Sequence, residues 1–370
     1  MISIQYEKKK KIALLLLILD SCFHFLIIKI IPKRNHCIPL TEQSKLDINL
    51  TKYIRWDNDY HKNEKKFKKK HEYLVKNKKP TKTKQKKTES RSSGKGICIC
   101  LVIKNQFQYI KDFSTFYKNM GVKKIFLYDN SDIDTEDYRL VVSEEIKNSF
   151  IEVINIRGYC GIQHIAYNHC YETNKHNFDW FLFIDTDEYI FIEKNKTLID
   201  YLYDDKFNKC NYIKINWRFY TDNNMLHYSK KSVVERFTVP SSFQMLYVKS
   251  VIRGGLNDTF YMTAHYPIFL KGCCNPEGRF ENPIAFKMRK FFYNKMYIRH
   301  YYSKSTEEYC DKINLGCVVT GKYRVKRLIV LYYLINNVTD IKRKMLEKCL
   351  KRSGLKKDIK YLYLKYTKYS

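Results

Sequence analysis

Between residues 97 and 185 short apolar runs alternate with longer amphipathic stretches, and this alternation limits the fold of the 370-residue chain more than any other feature. "ICICLVI" (97–103), "KIFLYDN" (124–130), "IEVINI" (151–156) and "WFLFID" (180–185) read as buried strands. Helical patterning over 106–120, 134–147 and 161–175 separates them. Strands alternating with helices of this length imply βαβ units, and hence a mostly parallel sheet with helices on both faces. The expected fold class is α/β, Rossmann-like. Further along, "YIKINWRFY" (212–220) reads as a strand and 221–230 as a loop.

In such sheets ligands bind beyond the carboxyl ends of the strands. Two strands here end in acids at that edge: Asp129 in "LYDNS", and Asp185 with Asp187 in "FIDTDEY". Burying an ionised carboxylate costs several kcal/mol unless a counter-charge meets it. If the strand persists through the acids, Asp185 and Asp187 share a face roughly 6.6 Å apart. They would then offer paired oxygens to a divalent metal ion such as Mn²⁺ or Mg²⁺. Taken alone, Asp-x-Asp fits a strand that ends in a solvated turn equally well, and Asp129-Asn130-Ser131 fits a turn. The convergence of both on one edge favours a metal and nucleotide site. His300 precedes "SKSTEEY", which reads as a helix start with Ser303 or Ser305 as N-cap, so it too lies at a strand end.

The net charge of +31 would ordinarily point to nucleic acid or a membrane surface. Its distribution argues otherwise. Residues 62–87 hold 13 Lys against Glu64 and Glu72, and 321–370 hold 15 Lys and Arg against three acids, which leaves only +3 for 96–320. A domain that grips a phosphate backbone needs Lys and Arg on its working surface, so no nucleic-acid partner is expected. This also speaks against a metal-dependent nuclease or nucleotidyl transferase built on the same acids.

Residues 1–31 contain Lys8–Lys11 followed by "IALLLLILDSCFHFLIIKII" (12–31), long enough to span a bilayer. An uncleaved signal anchor is the preferred reading, with a cleaved signal peptide as the alternative. Residues 32–95 read as a Lys-rich stem, 96–320 as the catalytic domain and 321–370 as a basic helical extension. An anchor of this kind would deliver the chain to the secretory lumen, where the Asn49, Asn195, Asn257 and Asn337 sequons could be used. Cys160 with Cys170, Cys273 or Cys274, and Cys310 with Cys317 are then disulfide candidates whose connectivity the sequence does not assign, while Cys98 and Cys100 read as core.

Five stretches in order resemble glycosyltransferase family 92, the DUF23 type related to family 2, with the GT-A fold. They are 102–134, "QHIAYNHC" (163–170), "DWFLFIDTDEYIFI" (179–192), "INWRFYTDN" followed by "VVERF" (215–237), and "IRHYYSKSTEEYCDKINLG" (298–316). The resemblance implies that Asp129 contacts the nucleotide, and that Asp185 and Asp187 bind the metal or the sugar diphosphate. It further implies that Glu188 supports them, that Gln163 lines the donor site, and that His300 closes over the diphosphate as a further candidate metal ligand. Its expected partners are a nucleotide sugar, UDP-galactose among them, and a glycan or glycoprotein acceptor, with the membrane reached through the anchor. The chain departs from the family pattern at Gln106, at Tyr117 and over Tyr220-Thr221-Asp222. An inverting transfer needs an Asp or Glu as base; Glu235 is the first candidate and Asp258 the second. The competing reading is a membrane-anchored glycan-binding protein that keeps the fold without turnover.

Overall fold

The computed structural model describes residues 94–363, except 194–195, 259, 269, 282–287, 289 and 316–324. The anchor, the stem up to residue 93, Cys317, Asn49 and Asn195 lie outside the described residues. No described helix is long and apolar enough to cross a membrane.

The first half runs β1 (Ile97–Ile103), α1 (Phe107–Asn119), β2 (Lys124–Asp129), α2 (Tyr138–Val141), α3 (Ser143–Lys147), β3 (Ile151–Asn155), α4 (Gln163–Asn174) and β4 (Trp180–Phe183). β1 is buried throughout and has a core on each face. Ile97, Ile99, Leu101 and Ile103 pack with Tyr109, Ile110, Phe113 and Tyr117 of α1. Cys98, Cys100 and Val102 pack with Ile165, Ala166 and Tyr167 of α4. The period-2 alternation of a strand between two helical layers produces this division. α1 buries residues at helical spacing. It closes at Gly121, whose φ of +85° suits glycine.

The second half adds β5 (Glu188–Ile192), α5 (Leu198–Leu202), β6 (Tyr212–Phe219), α6 (Val233–Arg236), β7 (Val248–Arg253), β8 (Tyr261–Met262), β9 (Pro267–Ile268), β10 (Cys273–Cys274), β11 (Met296–His300), α7 (Thr306–Leu315), α8 (Val325–Ile335) and α9 (Asp340–Arg352). The main sheet has the order β3-β2-β1-β4-β7-β6-β11-β5, with β10 beside β6. β1 to β4 pair in parallel, and β6 is parallel to β11. β7 runs antiparallel between β4 and β6, and β5 antiparallel to β11. The consequence is that β1, β2, β3, β4, β6 and β11 end on one edge, where β5 and β7 begin.

Three expectations need correction. The helix expected over 134–147 is split into α2 and α3 at Val142, whose φ of −113° is not helical. The strand expected to reach Asp185 stops at Phe183. There Glu188 N donates to Asp185 O at 3.0 Å, closing a turn, so the acids do not share a strand face. The cysteine pairing also differs: Cys170 bonds to Cys100 and Cys274 to Cys210. Packing of α4 across β1 brings the Cα atoms of Cys100 and Cys170 to 6.1 Å, within disulfide range. Cys160 is disulfide-bonded as well, and Cys310 is a free thiol.

The C-terminal helices are fastened to the sheet's carboxyl edge. Tyr309 and Ile313 of α7 join Ile329, Tyr332, Leu346 and Leu350 in one apolar cluster. Asp222, just past β6, is buried, and its carboxylate accepts from Lys342 Nζ at 2.9 Å and Tyr332 OH at 2.9 Å. Lys342→Met is expected to lower the unfolding free energy by about 3 kcal/mol or more, because it leaves a buried carboxylate without its counter-charge. Urea denaturation measures this, and an unchanged midpoint would contradict it.

Candidate active site

The acid turn Asp185–Glu188 sits where β4 ends and β5 begins, held from several sides. Tyr117 of α1 donates its hydroxyl to Glu188 O at 2.9 Å and accepts from Ile190 N at 3.0 Å. Gln106 accepts a hydrogen bond from the Thr186 hydroxyl, between the two aspartates. Tyr301 N donates to Asp187 O at 2.8 Å. Gln106 and Tyr117 therefore grip the acid turn directly.

Each aspartate meets its own counter-charge. Asp185 Oδ2 accepts from Lys249 Nζ at 2.8 Å, and its Oδ1 accepts from Gln163 Nε2 at 3.0 Å and Tyr167 OH at 3.3 Å. Asp187 Oδ2 accepts from Lys312 Nζ at 2.7 Å, and its Oδ1 lies 3.5 Å from His300 Nε2. Glu188 is fully buried; its Oε2 accepts from Asp185 N at 2.9 Å and lies 3.4 Å from Lys249 Nζ, while Oε1 has no hydrogen-bond partner among the described residues. The His300 ring packs against Trp217 at 4.4 Å and Phe219 at 5.2 Å.

Burial sets the electrostatics, and the ion pairs oppose it. Burial pushes the Glu188 carboxyl up to about 8 against the pull of Lys249, with Asp185 and Asp187 adding to the rise. Burial would raise Asp187 too, but Lys312 and His300 hold it well below the usual carboxylate range. Burial would discharge Lys249, yet Asp185 and Glu188 keep its ammonium well above the ordinary range. His300 is pulled down by burial in spite of Asp187. Lys304 is pulled down by burial to about 8, with Asp187 opposing.

The remaining sequence candidates fall in different places. Asp129 ends β2 on the same edge, but Oδ1 accepts from Ser131 N at 2.9 Å and Oδ2 from Arg157 Nε at 2.6 Å, so it first orients Arg157. Glu235 is exposed on α6, while the adjacent Arg236 turns inward to Glu308 of α7 at 2.7 Å. Asp258 follows β7, whose last residue Arg253 pairs with Trp180 at the start of β4. Because β7 is antiparallel, Asp258 emerges at the opposite edge and is not brought to the acid turn.

Asp185, Asp187 and His300 offer two carboxylates and an imidazole nitrogen, a donor set chemically suited to Mn²⁺ or Mg²⁺. In the arrangement described, Lys249 and Lys312 neutralise the carboxylates. No group of three His, Cys, Asp or Glu side chains is assembled to hold a metal among the described residues. The lysines were missed in the sequence; the signal for Lys249 is a cation inside the strand-like run "LYVKSVIR".

Comparison with known proteins adds a family. Residues 93–307 match the sequence profile of glycosyltransferase family 92. No curated protein matches. Among solved structures, residues 1–349 of S. aureus TarS in complex with UDP are 14% identical, covering 70% of this chain and 71% of that one, with a TM-score of 0.33. The crystal structure of S. aureus TarS is 12% identical over 70% of this chain and 43% of that one, with a TM-score of 0.31.

Glu188 yields a pH test. Its folded value of about 8 exceeds the ordinary 4.5, so the protonated form is favoured by folding. That contribution is complete below 4.5 and is lost as pH rises through 8. Relative to Glu188→Gln, the wild type is expected to lose up to about 1.4 kcal/mol per pH unit across this window. Urea midpoints at pH 5 and pH 8 measure it; parallel behaviour of the two proteins would contradict it.

Proposed function

The chain belongs to glycosyltransferase family 92, and from that premise we propose that it moves a hexose, galactose being the first candidate, from a UDP-sugar to a glycan or glycoprotein acceptor with inversion. The observation that carries this reading is the gathering of Asp185, Asp187, Glu188, Lys249, His300 and Lys312 at the carboxyl edge of a mostly parallel sheet, where nucleotides bind in such folds.

Asp129 and Arg157, at the ends of β2 and β3, frame the end of the donor site that takes the nucleoside. Gln163 and Lys249 orient Asp185, and Glu188, kept protonated by burial, adds little charge beneath it. Asp185, Asp187 and His300 are the residues that would hold a divalent cation. When bound, such a cation neutralises charge on the leaving diphosphate. Glu235 is the candidate base for the acceptor hydroxyl, since it lies on α6 beside α7, whereas Asp258 is left out of the mechanism by its place on the far edge. The secretory lumen and a single-pass N-terminal anchor belong to the same proposal; the core disulfides support an oxidising compartment.

Calorimetry on the full chain tests the donor reading. UDP is expected to bind, with Mn²⁺ strengthening binding in the wild type and having no effect in Asp185→Asn/Asp187→Asn. Absence of UDP binding under every metal condition, by folded protein, would overturn the assignment. Glu235→Gln is expected to lower kcat by about 10²-fold or more with little change in UDP affinity; unchanged kcat would remove Glu235 as the base.

A further inference from the structure

Lys304 occupies the loop between β11 and α7, where no hydrogen bond or ion pair to the described residues accounts for its burial. It is only 6% exposed. Its backbone φ of +51° lies in the left-handed region that few residues other than glycine adopt. Among the described residues its ammonium is in neither a hydrogen bond nor an ion pair; it lies over the Tyr109 ring, 4.2 Å from the centroid. Burying an unpaired ammonium costs several kcal/mol, and the strained backbone adds to that.

The acids around Lys304 are already committed. Glu308 accepts from Arg236 at 2.7 and 3.0 Å, from Tyr109 OH at 2.8 Å and from Ser305 N at 3.0 Å. Asp187 accepts from Lys312 and faces His300. Asp187, Lys312, Glu308 and Arg236 are the charged groups that Lys304 senses. With Arg236 matched to Glu308 and Lys312 to Asp187, one buried positive charge is left over at the edge where the donor is read to bind.

We propose that Lys304 is the seat of the donor's diphosphate: its ammonium contacts the phosphate oxygens of a nucleoside diphosphate and supplies the counter-charge that the protein itself withholds. The proposal rests on the donor-site reading above. Lys304 remains protonated throughout and exchanges no proton. As the acceptor oxygen bonds to the anomeric carbon and its proton passes to the base, read above as Glu235, the bond from the anomeric carbon to the phosphate oxygen breaks, both electrons stay on that oxygen, and the new negative charge falls beside an ammonium already desolvated. No rearrangement of solvent is then needed at the moment of reaction.

Uridine and UDP separate this proposal from the reading on which it rests. On the full chain at one fixed Mn²⁺ concentration, wild type is expected to bind UDP more tightly than uridine. Lys304→Met is expected to weaken UDP binding about tenfold or more and to leave uridine binding unchanged. Lys304→Arg, which keeps the charge, is expected to recover part of the loss. Without ligand, Lys304→Met is expected to melt at or above the wild-type temperature, because it removes an unpaired buried charge; a clear fall in both this variant and Lys304→Gln would assign Lys304 a structural role and overturn the proposal. Lys304→Gln serves the same comparison if the Met variant does not fold. UDP binding by the folded variant equal to wild type overturns the proposal, and failure of wild type to bind either compound overturns the donor reading itself.

Discussion

Lys249 projects a buried ammonium between Asp185 and Glu188, and the architecture of the site depends on that contact. Two charged aspartates and a buried glutamic acid within four residues could not sit at the end of a buried strand without a cation beside them. The sheet supplies it by inserting β7 antiparallel between β4 and β6, so that Lys249 arrives at the edge where β4 ends. One position before it, Val248 is apolar and buried; two positions after it, Val251 pairs with Leu182. The strand therefore carries the core and the counter-charge at once.

A second group of contacts fixes the turn from outside the sheet. Tyr117 bonds the backbone on either side of Tyr189, at Glu188 O and Ile190 N, Gln106 holds Thr186, and Lys312 reaches Asp187 from α7. α7 is in turn packed against α8 and α9, and Lys342 of α9 is bonded to Asp222 next to the end of β6. The chain after residue 320, which carries no acid or base of the site, thus stiffens the helix that brings Lys312 to Asp187. Tyr117 and Gln106 do the same work on the other side.

The sequence made the sheet legible because its parallel strands are continuous apolar runs, and strand-terminal acids mark the carboxyl edge without reference to distant residues. It also placed Gln163 and His300 near the acids. Strand direction was not legible in the second half: β7 and β5 are antiparallel, and that decides both the arrival of Lys249 and the exit of Asp258 on the wrong edge. Lys249 is 64 residues from Asp185 and Lys312 is 125 from Asp187; no local pattern encodes such pairs. The end of β4 was misjudged for a related reason, since Asp185 looks like a continuation of "WFLFI" until Glu188 is seen to close the turn. Cys100 looked like a small core residue because β1 alone does not show that α4 crosses it at Cys170.

The central claim is that a nucleoside diphosphate is held at the carboxyl edge by the acid turn and the lysines around it. Hydrogen–deuterium exchange on the full chain with saturating UDP measures this most directly. Slowed exchange is expected across residues 184–190, 248–250 and 300–312, with no change across 254–258 at the opposite edge. UDP-induced protection confined to other segments, or no protection at all, would contradict the account.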